Sequence, residues 1–217
     1  MSHRPTVHGV NASPFVRKVR VAMLEKGLEY DLEPVMPIGV SDEFKKLSPL
    51  GKIPVYQDGD FVLPDSSCII AYLERIHPEP ALYPADDEEF GHALFFEEFA
   101  DTRLVDQLTT VFFQRIVRSK IMKQEPDEAL VEHSLTELIP PLFDFLEKKV
   151  SDADGIVGGR FSIADIGIGS PFVNFNHAGE SVDAGRWPML ANYLQRILSR
   201  PSFKSLIEEE MAAFAAM

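Results

Sequence analysis

The chain has 217 residues, which is long enough for one large domain or two small ones. Hydrophobic residues make up 45% and charged residues 25%, and the 16 phenylalanines argue for a folded rather than a disordered chain. The net charge is −13, and no cluster of basic residues offsets it. A nucleic-acid backbone or an anionic membrane surface would be repelled, so neither is an expected partner.

Cysteine content and apolar runs indicate a cytoplasmic protein. The one cysteine, Cys68, excludes an intrachain disulfide and a cysteine-based zinc cage. It lies between Ser67 and two isoleucines, which predicts a packed thiol rather than a nucleophile. The N-terminus lacks the apolar core of a signal peptide, and no run approaches the ~18 apolar residues of a membrane span.

The first 77 residues alternate strand and helix patterns. Residues 6–10 form a predicted strand, after which Ser13 and Pro14 open a helix that Gly27 ends. We interpret Arg17 and Lys18 as residues on the surface of this helix. Further strands and a helix complete a βαβ unit followed by ββα, over residues 30–34, 53–57, 61–63 and 66–76.

A proline-rich segment divides the chain. Pro78, Pro80 and Pro84 oppose helix continuation, so we expect a domain at 1–77, a linker at 78–86 and a second domain at 87–217. The second domain shows helical periodicity alone. Its predicted helices cover residues 88–121, 127–150, 163–177, 188–198 and 202–214. The fold class is therefore an α/β domain followed by an all-α domain.

Common catalytic motifs are missing. No two histidines are three or four residues apart, which argues against a helical metal site. There is no phosphate-binding loop, dinucleotide fingerprint or serine-hydrolase elbow. The remaining candidate is Ser13, where a strand leads into a helix. Its hydroxyl could cap the helix, or it could donate a hydrogen bond to a ligand thiolate at the helix N-terminus.

Two further segments decide in favour of a ligand site. They are Gly51-Lys52-Ile53-Pro54-Val55 and Pro64-Asp65-Ser66-Ser67-Cys68-Ile69. Here the sequence resembles the soluble glutathione transferases. The resemblance implies a thioredoxin-like first domain, βαβββα, in which a cis Ile53–Pro54 bond lets the backbone of Ile53 pair with the cysteinyl part of glutathione. It also implies that Asp65 and Ser66 hold the γ-glutamyl end. Lys52 is a candidate partner of the glycyl carboxylate.

The second domain carries its own match to this family. Residues 158–165 resemble the family's buried capping box, with Ser162 and Asp165 as its two members and Phe161 as a hydrophobic staple. We assign this box to folding rather than to catalysis. For the second substrate the family uses an apolar pocket, and candidate lining residues are Phe15, Phe112, Phe113 and Phe175.

The resemblance also implies a chemistry. Ser13 lies where serine-type members keep a hydroxyl that stabilises the glutathione thiolate, and Asn11 could assist as an amide donor. No tyrosine precedes Tyr30, position 13 carries a serine in place of the cysteine of thiol transferases, and the Ser-Ser-Cys motif of the isomerase branch is absent at this place, where Ser13-Pro14-Phe15 stands. We therefore expect a cytoplasmic, homodimeric detoxification enzyme that conjugates glutathione to small electrophiles without a metal. A non-catalytic interaction module and a glutathione-dependent peroxidase remain alternatives.

Overall fold

The computed structural model describes residues 4–216, which form two compact units. The first contains residues 4–82 together with 205–216, and the second contains residues 83–204. The C-terminal segment therefore differs from the expected assignment of 87–217 to the helical domain. Its Glu210 is buried against Arg17 in the first unit. No helix within residues 4–216 is long and apolar enough to cross a membrane.

The first unit is built on a four-stranded mixed sheet. Its strands are β1 (Thr6–His8), β2 (Asp31–Glu33), β3 (Val55–Asp58) and β4 (Phe61–Pro64), in the order β2-β1-β3-β4. β1 pairs with β2 in parallel, whereas β3 is antiparallel to both β1 and β4. Helices α1 (Pro14–Glu25) and α3 (Ser66–Ile76) flank the strands in sequence. This is the predicted thioredoxin-like arrangement.

One short helix in this unit is absent from the sequence prediction. Helix α2 (Asp42–Leu47) has Ser41 as its N-cap, whose Oγ accepts a hydrogen bond of 3.1 Å from the backbone N–H of Phe44. Two acidic residues occupy its first turn and two lysines its last, as the helix dipole favours. Only Phe44 is buried. A six-residue helix with one buried side chain shows no apolar period, so pattern analysis missed it.

Helix α1 is buried more completely than its sequence suggests. Arg17 and Lys18 are 0% and 1% exposed, so their interpretation as surface residues is wrong. The Nζ atom of Lys18 donates to Ser67 Oγ at 2.9 Å, and Arg17 forms an ion pair with Glu210. These polar partners compensate for the burial of the two charged side chains, which the apolar pattern of the helix had predicted to lie in solvent.

The second unit is helical, as predicted. Its helices are α4 (Asp87–Phe99), α5 (Val105–Phe112), α6 (Glu128–His133), α7 (Ile139–Glu147), α8 (Ile163–His177) and α9 (Pro188–Leu198). Helix α10 (Pro201–Ala215) follows, and its residues from Ser205 onward belong to the first unit. π-helical segments at 100–104 and 134–138 join neighbouring α-helices, and a third at 113–121 extends α5, which explains the long periodicities in the sequence.

The predicted capping box begins helix α8. The backbone N–H of Ser162 donates to Asp165 Oδ2 at 2.8 Å, and the Ser162 side chain caps the first turn. Asp165 Oδ1 accepts two further bonds, from Ile156 N–H at 2.8 Å and from the Tyr193 hydroxyl at 2.6 Å. Asp165 is fully buried. The box therefore fastens the start of the central helix to its surroundings, which agrees with a structural role.

Candidate functional site

The strand register brings the predicted site residues to one end of the sheet. In β1 and β3, His8 is paired with Val55, and in β3 and β4, Val55 is paired with Pro64. Three segments therefore lie at the same end of the sheet. They are the loop after β1, which carries Asn11 and Ser13, the Ile53–Pro54 segment that enters β3, and the Asp65–Ser66 segment that follows β4. Three separate sequence motifs converge there.

Ser13 is the N-cap of helix α1. Its backbone is extended, with φ −74° and ψ 127°, and its Oγ accepts a hydrogen bond from Val16 N–H at 3.4 Å. Gly9, which starts the preceding loop, has φ +156°, and a Cβ there would lie 2.4 Å from Val16 Cγ2. Glycine therefore lets the loop run close to the first turn of α1.

The segment before β3 presents an open backbone. The Ile53–Pro54 peptide bond is cis, as the resemblance implied. Ile53 is 8% exposed, and within residues 4–216 its N–H and C=O make no hydrogen bond. Ser48 holds the backbone of Lys52, the residue before Ile53. Its Oγ donates to Lys52 O at 2.7 Å and accepts from Lys52 N–H at 3.0 Å. The Lys52 residue itself is exposed.

Asp65 and Ser66 open helix α3 in an unusual backbone conformation. Asp65 has φ +81°, a region that non-glycine residues rarely occupy and that is enriched at ligand sites. Its Oδ1 accepts a hydrogen bond from Cys68 N–H at 3.0 Å. Ser66 is 4% exposed, yet its hydroxyl has no partner within residues 4–216. A hydroxyl and backbone N–H groups at a helix N-terminus suit an anionic ligand group.

The cysteine in this helix differs from its prediction. Cys68 is exposed rather than packed. Cys68 lies in the first turn of α3, directly before Ile69 and Ile70, which are both 0% exposed. The apolar neighbours that suggested burial thus face the core, while the cysteine lies on the outer side of the helix.

Asn11 lies in the loop before Ser13, but its side chain is already engaged. The amide Nδ2 donates to Glu209 Oε1 at 2.8 Å, and Oδ1 accepts from Arg20 Nη1 at 3.2 Å. Arg20 also donates to Glu209 Oε2 at 2.6 Å and to the Tyr30 hydroxyl at 2.7 Å. Sequence analysis missed Glu209 because it lies 198 positions from Asn11 and no local pattern links them.

Arg20 stays positively charged at neutral pH. Burial alone would lower the pKa of Arg20, but its contacts with Tyr30 and Glu209 outweigh burial and raise it. Burial also raises the pKa of Tyr30, although Arg20 opposes this shift. The arginine is therefore a cation and the tyrosine a neutral phenol, so Arg20 is the hydrogen-bond donor to all three of its oxygen partners.

The four phenylalanines proposed for the second-substrate pocket divide into two groups. Phe112 and Phe175 are 7% and 2% exposed, and Phe175 packs edge-to-face against Phe143 in the core of the second unit. Neither is accessible to a substrate. Phe113 is 39% exposed and Phe15 is partly exposed. A separate cavity of about 520 Å³ in the second unit is lined by Phe95, Phe96, Phe145, Lys149 and neighbouring residues.

Sequence and structure comparisons connect this site with known proteins. The family described as "Glutathione S-transferase, N-terminal domain" matches residues 7–81, and "Glutathione S-transferase, C-terminal domain" matches residues 104–201. Glutathione S-transferase U1 of Arabidopsis thaliana is 30% identical over 164 residues, which cover 75% of this chain and 67% of that protein. Glutathione S-transferase Z2 of the same plant is 28% identical, covering 91% and 88%.

Other relatives extend the comparison. Maleylacetoacetate isomerase of Rattus norvegicus is 24% identical over 93% of this chain and 91% of its own length. The crystal structure of a glutathione S-transferase from Rhodospirillum rubrum F11 shares the fold, with a TM-score of 0.84, 22% identity and coverage of 93% and 91%. Both domain families match in the expected order, and the relatives span most of the sequence. The chain therefore belongs to the glutathione S-transferase family of enzymes.

Proposed function

We propose that this enzyme conjugates the thiolate of glutathione to small electrophiles and that Ser13 stabilises the thiolate. The observation that carries the proposal is the convergence of Ser13, the open backbone of Ile53 and the Asp65–Ser66 pair at one end of the sheet. The first could contact a sulfur, the second an extended peptide, and the third an amino-acid end group. Glutathione is a tripeptide that offers all three.

The tripeptide would be bound mainly by backbone and polar groups. The N–H and C=O of Ile53 can pair with the cysteinyl residue as an added strand. The Ser66 hydroxyl and the N-terminus of α3 suit the α-carboxylate of the γ-glutamyl end. Because Asp65 uses Oδ1 to cap the helix, its second oxygen can accept from the γ-glutamyl ammonium. Lys52 is a cation of suitable charge for the glycyl carboxylate.

Ser13 has the hydrogen-bonding capacity that thiolate stabilisation requires. Its oxygen accepts from Val16 N–H, which leaves the single hydroxyl proton available to a ligand. A free thiol has a pKa near ~8.5, so only a few per cent is ionised at pH 7. A hydroxyl donor and the positive end of α1 stabilise the anion more than the neutral thiol. Both lower the pKa of bound glutathione and raise the fraction of nucleophile.

The test is Ser13→Ala. The variant should bind glutathione nearly as well as wild type, because binding rests on Ile53, Asp65 and Ser66. Loss of one charge-assisted hydrogen bond, roughly 1.5 to 3 kcal/mol, should reduce turnover with a chlorinated nitroaromatic about 10- to 150-fold. An ultraviolet titration of the bound thiolate should show a raised pKa. An unchanged pKa would mean that Ser13 only caps α1.

An isomerase is the second candidate, because relatives from Rattus norvegicus and Mus musculus are named maleylacetoacetate isomerase. The sequence around Ser13 argues against it, since Ser-Ser-Cys is absent and Asn11-Ala12-Ser13 stands in that region. Assays with maleylacetoacetate and with the nitroaromatic on the same preparation distinguish the two. Conjugation together with an absence of isomerisation supports the proposal, whereas efficient isomerisation alone replaces it. Binding of glutathione without turnover of any electrophile or peroxide would indicate an interaction module.

A further inference from the structure

Two adjacent glutamates of helix α10 form ion pairs with two arginines of helix α1. Glu210 accepts two hydrogen bonds from Arg17, from Nε at 2.8 Å and from Nη2 at 2.6 Å, and both side chains are 0% exposed. Glu209 accepts from Arg20 Nη2 at 2.6 Å and has a side chain that is 44% exposed. The same pair of helices thus carries two chemically similar contacts side by side.

Glu209 also reaches the loop that carries Ser13. Its Oε1 accepts from the Asn11 amide, while Asn11 Oδ1 accepts from Arg20, and Arg20 donates to Glu209 Oε2. These three hydrogen bonds close a ring of an amide, a cation and an anion. The amide nitrogen of Asn11 donates to an anion and its amide oxygen accepts from a cation, so the side chain has one favourable orientation.

The ring restrains the segment that leads into Ser13. Asn11 lies in a turn two residues before Ser13, and the backbone N–H of Ser13 donates to Val10 O at 3.1 Å. The position of the Ser13 hydroxyl depends on this turn as well as on the first turn of α1. A hydrogen bond weakens steeply when its angle or length departs from the optimum. Small displacements of a reacting group reduce rates strongly for the same reason.

We propose that Glu209 is a positioning residue, which through Asn11 and Arg20 holds the β1–α1 turn so that the Ser13 hydroxyl is directed at the glutathione sulfur. This inference rests on the proposed function. It assigns to the C-terminal helix a role in the chemistry of the site that is separate from its contribution to stability. The carboxylate of Glu210 binds Arg17 on the buried side of α1, so we expect its substitution to act on stability.

The experiment compares Glu209→Gln with Glu210→Gln, using the full chain. Glu209→Gln removes the charge that organises the ring but retains side-chain size. It should raise the pKa of bound glutathione by about half a unit to one unit and lower kcat roughly 3- to 10-fold. The KM for glutathione should change less than about twofold. Glu210→Gln should lower the melting temperature while the bound-thiol pKa and kcat stay at wild-type values.

Further variants make each outcome decisive. If Glu210→Gln does not fold, the exposed Glu208 provides the neighbouring control as Glu208→Gln. Equal pKa shifts in Glu209→Gln and in a folded control would overturn the positioning role, as would a wild-type pKa in Glu209→Gln. Ser13→Ala is titrated in parallel. If it raises the pKa and Glu209→Gln does not, only the positioning role fails. If Ser13→Ala leaves the pKa unchanged, the role of Ser13 and the positioning role both fail.

Discussion

Asp65 caps helix α3 from a backbone conformation that is rare for a residue with a side chain, and we propose that it also binds the ligand. Its φ of +81° costs about 1 to 3 kcal/mol for a residue with a side chain. Asparagine or glycine would adopt this conformation more readily, and asparagine would cap the helix equally well. The helix alone therefore does not require a carboxylate at this position. A negative charge beside the unpartnered Ser66 hydroxyl is explained by a ligand that carries an ammonium group.

Substitution of Asp65 by asparagine separates these two roles. Asp65→Asn keeps an oxygen for the Cys68 N–H and tolerates a positive φ, so its thermal stability should match wild type. Affinity for glutathione should fall about 10- to 150-fold, which corresponds to a loss of roughly 1.5 to 3 kcal/mol for a bond to a charged group. Calorimetric titration measures the change, with the exposed Asp60→Asn as a control. Equal affinity in the two variants would place the γ-glutamyl end elsewhere.

Helix caps were visible in the sequence, whereas contacts between helices were not. Ser13, Asp65 and Ser162 each satisfy N–H groups within three residues, so a short window of sequence contains the whole interaction. The pairing of Arg17 with Glu210 spans 193 positions. A buried arginine looks like a surface residue in any local pattern, because its burial depends on an anion supplied by a distant helix.

Some parts of the candidate site could likewise be predicted from short segments of sequence, and others could not. The motifs around Ser13, Ile53–Pro54 and Asp65–Ser66 were found because each is a contiguous segment, and the strand register then brings them together. The engagement of Asn11 by Glu209 could not be found, since it depends on where α10 returns to the first unit. The burial of Phe175 was likewise undetermined, because a phenylalanine on a helix fits a core or a pocket equally well.

Strands β3 and β4 and helix α3 share an aromatic cluster that should titrate at high pH. Tyr56 contacts Phe61 and Tyr72 and is 3% exposed. Burial, with contributions from Asp58 and Tyr72, raises the pKa of Tyr56 to about 12. Because the folded state favours the neutral phenol, the stabilisation is complete below the unfolded-state pKa of about 10. It is lost as the pH rises from there through about 12.

Denaturant unfolding of wild type and Tyr56→Phe between pH 9 and 12 tests this shift. The free energy of unfolding of wild type should fall more steeply with pH than that of the variant, since phenylalanine cannot ionise. The other four tyrosines are present in both proteins, so the difference between the two curves reports on the change at Tyr56. Parallel curves across this range would show that Tyr56 has an ordinary pKa in the folded state.

Each of the two units exposes several large apolar side chains. On α4, Phe90, Leu94 and Phe95 are 41%, 39% and 52% exposed. In the first unit, Phe61 is 41% exposed and stacks on Tyr72 with a ring-centroid distance of 4.6 Å, and Ile76 is 43% exposed. Clusters of exposed large apolar side chains indicate interaction surfaces. Members of this family are usually dimers, so a second copy of the chain is the expected partner.

We expect a homodimer with about twice the chain mass of 24.3 kDa in sedimentation or light-scattering measurements. Phe95→Glu places a charge among the aromatic side chains of α4 and should shift the equilibrium towards monomer by at least about tenfold, because an unpaired charge is costly to desolvate at an interface. Ile38→Glu is the control, since Ile38 is 58% exposed and lies outside the helices and strands. It should leave the dimer intact. A concentration-independent monomer in the wild type would remove the assembly prediction, and equal dissociation in both variants would show that the α4 surface is not the interface.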